Sequence, residues 1–151
     1  MKNLILIALV TFIGLNSFSQ TDNPGYDKAT ADSLGGDDYG MKFYVLVILK
    51  PGTKTFEKKI EDSLFTGHIN NIIRLAAAKK LVLAGPLKKN EKSYAGIFIL
   101  NVKTIEDANA LLATDPAVHE GMLNAELYQW YGSAALPEYL KVHDKIQKKN
   151  L

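Results

Sequence analysis

The spacing of apolar residues changes period repeatedly between residues 41 and 149, and each change marks a new element. Met41–Leu49 (MKFYVLVIL) is rich in β-branched and aromatic side chains and is stopped by Lys50-Pro51-Gly52, which predicts a strand. Alternation sends Phe43, Val45, Val47 and Leu49 to one face and Tyr44, Leu46 and Ile48 to the other. Both sets are apolar, so the strand is expected at the centre of a sheet and covered on two sides. From Thr55 to Lys80 the period becomes helical: Ile60, Leu64, His68, Ile72 and Leu75 share a stripe, with Ile69, Ile73 and Ala76 beside it. Thr66-Gly67 interrupts that stretch. Thr66 is expected to cap a main helix from His68 to Lys80, with a separate short helix over 55–65 leading into it. Leu81–Pro86 predicts a second strand, Lys88–Lys92 a solvated turn, and Tyr94–Val102 a third strand that is again apolar on both faces, the two strands forming a hairpin. Thr104 is expected to cap a second helix reaching Ala113, with Ile105, Ala108, Leu111 and Leu112 facing inward. Asp115-Pro116 has the form of a further helical start, Asp at the N-cap and Pro at the first helical position. Leu123–Tyr131 predicts a fourth strand and Leu136–Lys149 a polar C-terminal helix.

Strand-helix-strand-strand-helix-strand is the order of an α+β, ferredoxin-like βαββαβ fold with a four-stranded antiparallel sheet. Its helices cover one sheet face only. The apolar second face of the first and third strands therefore calls for a partner, and the simplest is a second copy, sheet against sheet, burying on the order of 800 Å² per subunit. A homodimer is expected.

The ends have a different character. Lys2 followed by the apolar run Leu4–Leu15 and the small residues Ser17 and Ser19 has the grammar of a signal peptide over residues 1–19, too short for a comfortable bilayer span. An uncleaved anchor is the alternative, but no positive flank or long apolar tail supports it. Export to the periplasm or beyond follows, with no stable membrane insertion after cleavage. Residues 20–40, with Asp22, Asp27, Asp32, Asp37 and Asp38 against Lys28 alone and no apolar period, are expected to form an acidic flexible linker. They lack the spacing and terminal Glu of a calcium loop. The folded domain is assigned to 41–132 and a C-terminal helical extension to 133–151.

Composition narrows the chemistry. At 151 residues, 47% hydrophobic and 23% charged, the chain is one domain's worth of foldable sequence. Its net charge of +2 gives no strong field for a nucleic acid, and Lys88, Lys89 and Lys92 lack the further basic clustering such a partner needs. The absence of cysteine removes disulfides, thiolate metal sites and a Cys nucleophile. With His68, His119 and His143 scattered, neither a metal centre nor a cofactor is expected.

Several segments together resemble the YCII-related family. Gly67-His68 with its helix and then Lys80-Leu81-Val82-Leu83-Ala84-Gly85-Pro86 is similar to that family's His-helix-strand-Gly-Pro signature. Gly96–Leu100 followed by Ile105-Glu106-Asp107-Ala108 resembles its third strand and second helix; Thr114–Val118, Gly121 and the strand ending Trp130-Tyr131-Gly132 resemble its Asp-Pro element and last strand. The likeness spans residues 41–132. It implies a dimeric α+β barrel, similar in fold to muconolactone isomerases. The family includes a ring dehydrochlorinase, and a His/Asp pair has been suggested as its active site. The export signal, the acidic segment, residues 53–65 and the C-terminal helix are departures from the pattern.

His68, placed by this reading in the first helical turn where the positive dipole end disfavours imidazolium, is the candidate general base; the alternative is a hydrogen-bonded core histidine. Asp115 is the candidate partner that orients His68 or moves a proton itself, although capping before Pro116 accounts for it equally. Gly85 and Pro86 are candidates for the rim of a substrate pocket, and Tyr44, Tyr94 and Trp130 for contacts with a planar ring; strand ending and core packing are the plainer roles. The functional expectation is a small cofactor-independent enzyme of isomerase or lyase type acting on a small cyclic or aromatic substrate. The alternative is a non-catalytic homodimeric domain that binds a small ligand.

Overall fold

Strands β1 (Met41–Pro51), β2 (Leu81–Pro86), β3 (Gly96–Leu100) and β4 (Leu123–Ser133) form one sheet in the order β2-β3-β1-β4. The computed structural model describes residues 23–148. All neighbouring strands are antiparallel, β1 pairing with β3 from Val45–Leu100 to Leu49–Gly96 and with β4 from Met41–Ser133 to Pro51–Leu123. The helices are α1 (Lys28–Leu34), α2 (Lys58–Ala77), α3 (Ile105–Leu112), α4 (Pro116–His119) and α5 (Leu140–Ile146), with a 3-10 turn at Leu136–Tyr139. From β1 to β4 this is the ferredoxin-like arrangement. The signal peptide assigned to 1–19 lies outside the described residues.

Alternation along β1 sorts the core into two layers. Val45, Val47 and Leu49 pack with Phe98 and Leu100 of β3, Leu75 of α2, and Ala108 and Leu112 of α3. Val45, Val47 and Leu100 are 0% exposed, so burial of each contributes about 1.5–3 kcal/mol. On the back of the sheet Tyr44, Val82 and Ile99 form a smaller cluster with Trp130 and Leu136. The chain's own C-terminal segment therefore covers one end of the face expected to be bare. Leu46, Ile48 and Ile97 towards the other end are only partly buried, and Tyr128 is half exposed.

Three sequence expectations need correction. The stretch read as a flexible linker contains α1, because its aspartates serve as local hydrogen-bond acceptors. Asp27 Oδ1 caps the helix on the amides of Ala29 and Thr30 at 2.9 and 3.3 Å, and Gly35 closes it at φ 71°. Asp37 then accepts from the amides of Tyr39 and Met41 and from the hydroxyl of Tyr131, tying the segment to β4. The helix buries no residue of its own, which is why no apolar period announced it.

Secondly, α2 is one continuous helix. Thr66 Oγ1 is not a cap; it donates back to the carbonyl of Asp62 at 2.9 Å, and Glu57 holds the N-cap position. The buried stripe is His68, Asn71 and Leu75, while Ile60 and Ile73 stay nearly half exposed. Thirdly, the C-terminal stretch is a 3-10 turn over Leu136–Tyr139 followed by a short helix that ends at Ile146, rather than one helix running to Lys149.

Candidate active site

His68 stands in the middle of α2 rather than in its first turn, so the helix dipole, which acts within the terminal turns, does not set its state. Its ring stacks on Phe98 of β3 with centroids 5.7 Å apart and planes 21° from parallel, and Phe65, itself exposed, lies at 6.2 Å on the solvent side. Only 7% of the residue is exposed.

Asp115, wholly buried, reaches it from the loop before α4. Its two oxygens divide the work. Oδ1 accepts from the amides of Ala117 and Val118 at 3.0 and 3.4 Å, capping α4, and Oδ2 lies 2.7 Å from His68 Nδ1. A carboxylate only accepts, so this bond puts a proton on Nδ1, and in the neutral tautomer of that ring the lone pair is on Nε2. Among the described residues Nε2 has no hydrogen-bond partner.

The approach of α4 to α2 depends on Gly67. A Cβ built there would stand 2.9 Å from Pro116 Cγ and 3.3 Å from Pro116 Cβ. The absence of a side chain on the turn just before His68 is what lets the Asp115-Pro116 loop sit against the helix.

A polar network behind the pair escaped the sequence reading. Asn71, 5% exposed, points Nδ2 at Asp115 Oδ2 across 3.5 Å and accepts at Oδ1 from Arg74 Nη2 at 2.7 Å. The same Arg74 nitrogen donates to Thr114 Oγ1 at 2.6 Å, and the single hydroxyl proton of Thr114 is best placed for the Leu111 carbonyl at 2.6 Å. The signal was present: Asn71 and Arg74 follow His68 at helical spacing, and a polar residue on an otherwise apolar stripe needs a buried partner.

The other candidates are not gathered here. Tyr44 and Trp130 face each other across β1 and β4 with ring centroids 5.7 Å apart, on the sheet face opposite Phe98 and His68. Strand alternation alone separates them from the dyad. Trp130 lies flat over Gly132, where a Cβ would come within 2.3 Å of its ring, and burial pushes the Tyr44 hydroxyl above its ordinary range. Gly85 and Pro86 occupy the end of edge strand β2, opposite Ile97 and Gly96. Tyr94 sits in the hairpin under the ammonium groups of Lys50 and Lys92, at 5.0 and 5.8 Å. His119 is exposed and bonded to Glu120 at 3.0 Å. Among the described residues no three His, Cys, Asp or Glu side chains converge as a metal site would require. No helix among them is long and apolar enough to cross a membrane.

No protein-family model and no curated protein matches the chain. Among solved structures it is similar to 5-chloro-2-hydroxyhydroquinone dehydrochlorinase from Burkholderia phenoliruptrix AC1100, in complex with 2,5-dihydroxybenzoquinone. The identity is 15%, the match covers 57% of this chain and 92% of that one, and the TM-score is 0.41. The chemistry of this chain rests on its own side chains.

Proposed function

We propose that the chain is an exported, cofactor-independent enzyme in which His68 and Asp115 transfer a proton on a small cyclic or aromatic substrate, as an isomerase or lyase. One observation carries this: a buried carboxylate at 2.7 Å from Nδ1 while Nε2 has no partner among the described residues. In that geometry Nε2 takes a proton from an acidic carbon of the substrate. Asp115 Oδ2 then faces a full imidazolium and stabilises it without moving, since Oδ1 is pinned by two amides. Returning the proton to a neighbouring atom completes an isomerisation; loss of a leaving group completes an elimination. Phe65, exposed beside the His68 ring, supplies an apolar wall that suits a planar ring, with the buried Phe98 backing the imidazole.

General-base catalysis of this kind contributes about 10²–10⁴-fold, so His68→Ala and Asp115→Asn should each lower turnover by that order against a panel of small enolisable ring ketones and halogenated dihydroxybenzenes. Wild-type turnover that survives His68→Ala undiminished would refute the role.

A second reading is a domain that binds a small ligand without turning it over. It is favoured by the low exposure of His68 and by cavities of 440, 690 and 450 Å³ that have neither His68 nor Asp115 among the described residues of their walls. In that case His68→Ala changes stability while no substrate of the panel is consumed.

The remaining apolar area around Leu46, Ile48, Ile97 and Tyr128 is the surface through which we expect two copies to pair, in the manner of the YCII-related family that the sequence resembles. Light scattering behind size-exclusion chromatography reads this directly, and a monomer at micromolar concentration removes it. Export is read by the N-terminus of protein recovered outside the cytoplasm, expected after Ser19.

A further inference from the structure

The C-terminal segment offers a site unrelated to the dyad. Residues 136–147 lie against the second half of α2 and edge strand β2, attached by the hydrogen bond from the Tyr139 hydroxyl to the Val82 carbonyl at 2.7 Å and by Leu136 on the Tyr44 cluster. Two cavities of 440 and 450 Å³ open beneath it. Both have Ala76, Ala77, Leu81, Val82 and Leu140 in their walls, so they adjoin as two sides of one groove. Each falls within the range of about 300–1,000 Å³ typical of small-molecule sites.

The two sides differ in chemistry. The first is walled by Ile72, Ile73, Tyr139 and His143, with no lysine, arginine or carboxylate among the described residues that line it. The second is lined by Lys42, Lys79 and Lys141, with Glu138 the one acidic side chain among the described residues of its wall. Glu138 is already paired with Lys141. Neither Lys79 nor Lys42 has a carboxylate partner among the described residues, and Lys42 is the one held in place: its Nζ donates to the Leu34 carbonyl at 3.1 Å and stands 5.1 Å from the Tyr44 ring centroid. Burial, and then repulsion from Lys103, hold this lysine below its ordinary range. An ammonium has three protons to donate and this one has a single acceptor, so an anion arriving there would gain two hydrogen bonds and relieve an unfavourable charge.

We propose that this groove binds a free amphiphilic carboxylate, its anionic head at Lys42 and its apolar body lying under Leu140 toward Ile72 and Ile73. The C-terminal segment acts as the strap over it. This does not depend on the His68–Asp115 reading, since it concerns binding at another place.

The test uses the full chain and three probes of equal chain length: decanoate, decanol and decyltrimethylammonium, each displacing a dansyl-labelled undecanoic acid. Decanoate is expected to bind at least about tenfold more tightly than decanol, with the cationic probe weaker still. Lys42→Gln should remove that preference, Ala76→Trp should abolish displacement by all three, and His68→Ala should leave it unchanged. The wild-type ranking stands even if a variant fails to fold. Failure of decanoate to bind at millimolar concentration, equal affinity for decanol, or binding indifferent to Lys42→Gln would overturn the proposal. So would co-sedimentation with phosphatidylglycerol vesicles without binding of free decanoate, because the surface would then recognise a membrane.

Discussion

Replacing Asp115 by alanine, serine and asparagine separates the jobs of its two oxygens. Alanine removes the cap on Ala117 and Val118, worth about 1 kcal/mol, and the charge-assisted bond to His68, worth about 1.5–3 kcal/mol. It also leaves a ring nitrogen beside a 0% exposed position without its partner, so the total loss should reach about 3–5 kcal/mol, the range for breaking a buried pair from one side. Serine keeps an acceptor for the α4 amides and loses the dyad, so about 2–3 kcal/mol is expected. Asparagine keeps the cap through its amide oxygen and presents an NH₂ to His68 Nδ1; the ring then shifts its proton to Nε2 and accepts instead. Its cost should be only about 1 kcal/mol, while the basic lone pair at Nε2 is gone. Urea unfolding with an unchanged slope gives the three stabilities, and ¹⁵N spectra of the imidazole report the tautomer. Equal losses for alanine and asparagine, or an alanine loss below about 1 kcal/mol, would show that Oδ2 does not carry the bond to His68 on which the proposed catalysis rests.

Other outcomes follow from single contacts. Gly67→Ala would gain about 1 kcal/mol in a free helix, but here the new Cβ meets Pro116 at 2.9 Å, so it should destabilise, and Gly67→Leu more so; a raised melting temperature for the alanine variant refutes the close contact. Gly132→Ala should drive the only tryptophan off its seat, since the Cβ would fall 2.3–2.8 Å from ring atoms of Trp130, and a red shift in fluorescence reports it. The Tyr131–Asp37 bond should be sensitive at both ends of the pH scale. Asp37 is held below 3.8, first by the Tyr131 hydroxyl, so its support of the 28–41 segment is present above that value and lost as pH falls through the lowered one. Tyr131 is pushed from 10.0 up to about 12, first by Asp37, so its share is complete below 10.0 and disappears as pH rises through about 12. Hydrogen exchange at the Tyr39 and Met41 amides should speed up in both windows and in Tyr131→Phe; exchange unchanged in the variant refutes the tie.

The βαββαβ order was legible because each strand carries its own period and each break its own turn residues. The caps at Thr104 and Asp115 were legible for the same reason: a cap is satisfied within a few residues of itself. Local rules also misled. Thr66-Gly67 has the form of a helix boundary, yet the hydroxyl turns back on Asp62 and the glycine answers to Pro116, far off in sequence. The 20–40 segment lacks an apolar period, and only the position of Asp37 next to Tyr131 reveals that it is fastened to β4.

What the chain alone determined was therefore everything set by neighbours in sequence: strand alternation, the central greasy strand, the capped turn at Asp115, and the two residue types suited to proton transfer. What tertiary structure decided was which of them meet. It brought His68 to within 2.7 Å of Asp115 from 47 positions away, set Asn71 and Arg74 behind them, and sent Tyr44 and Trp130 to the opposite side of the sheet. The reason is physical: periodicity fixes which way a side chain points relative to its own element. Which surface awaits it depends on the packing of elements remote in sequence, and here that packing turns on the space left by one glycine.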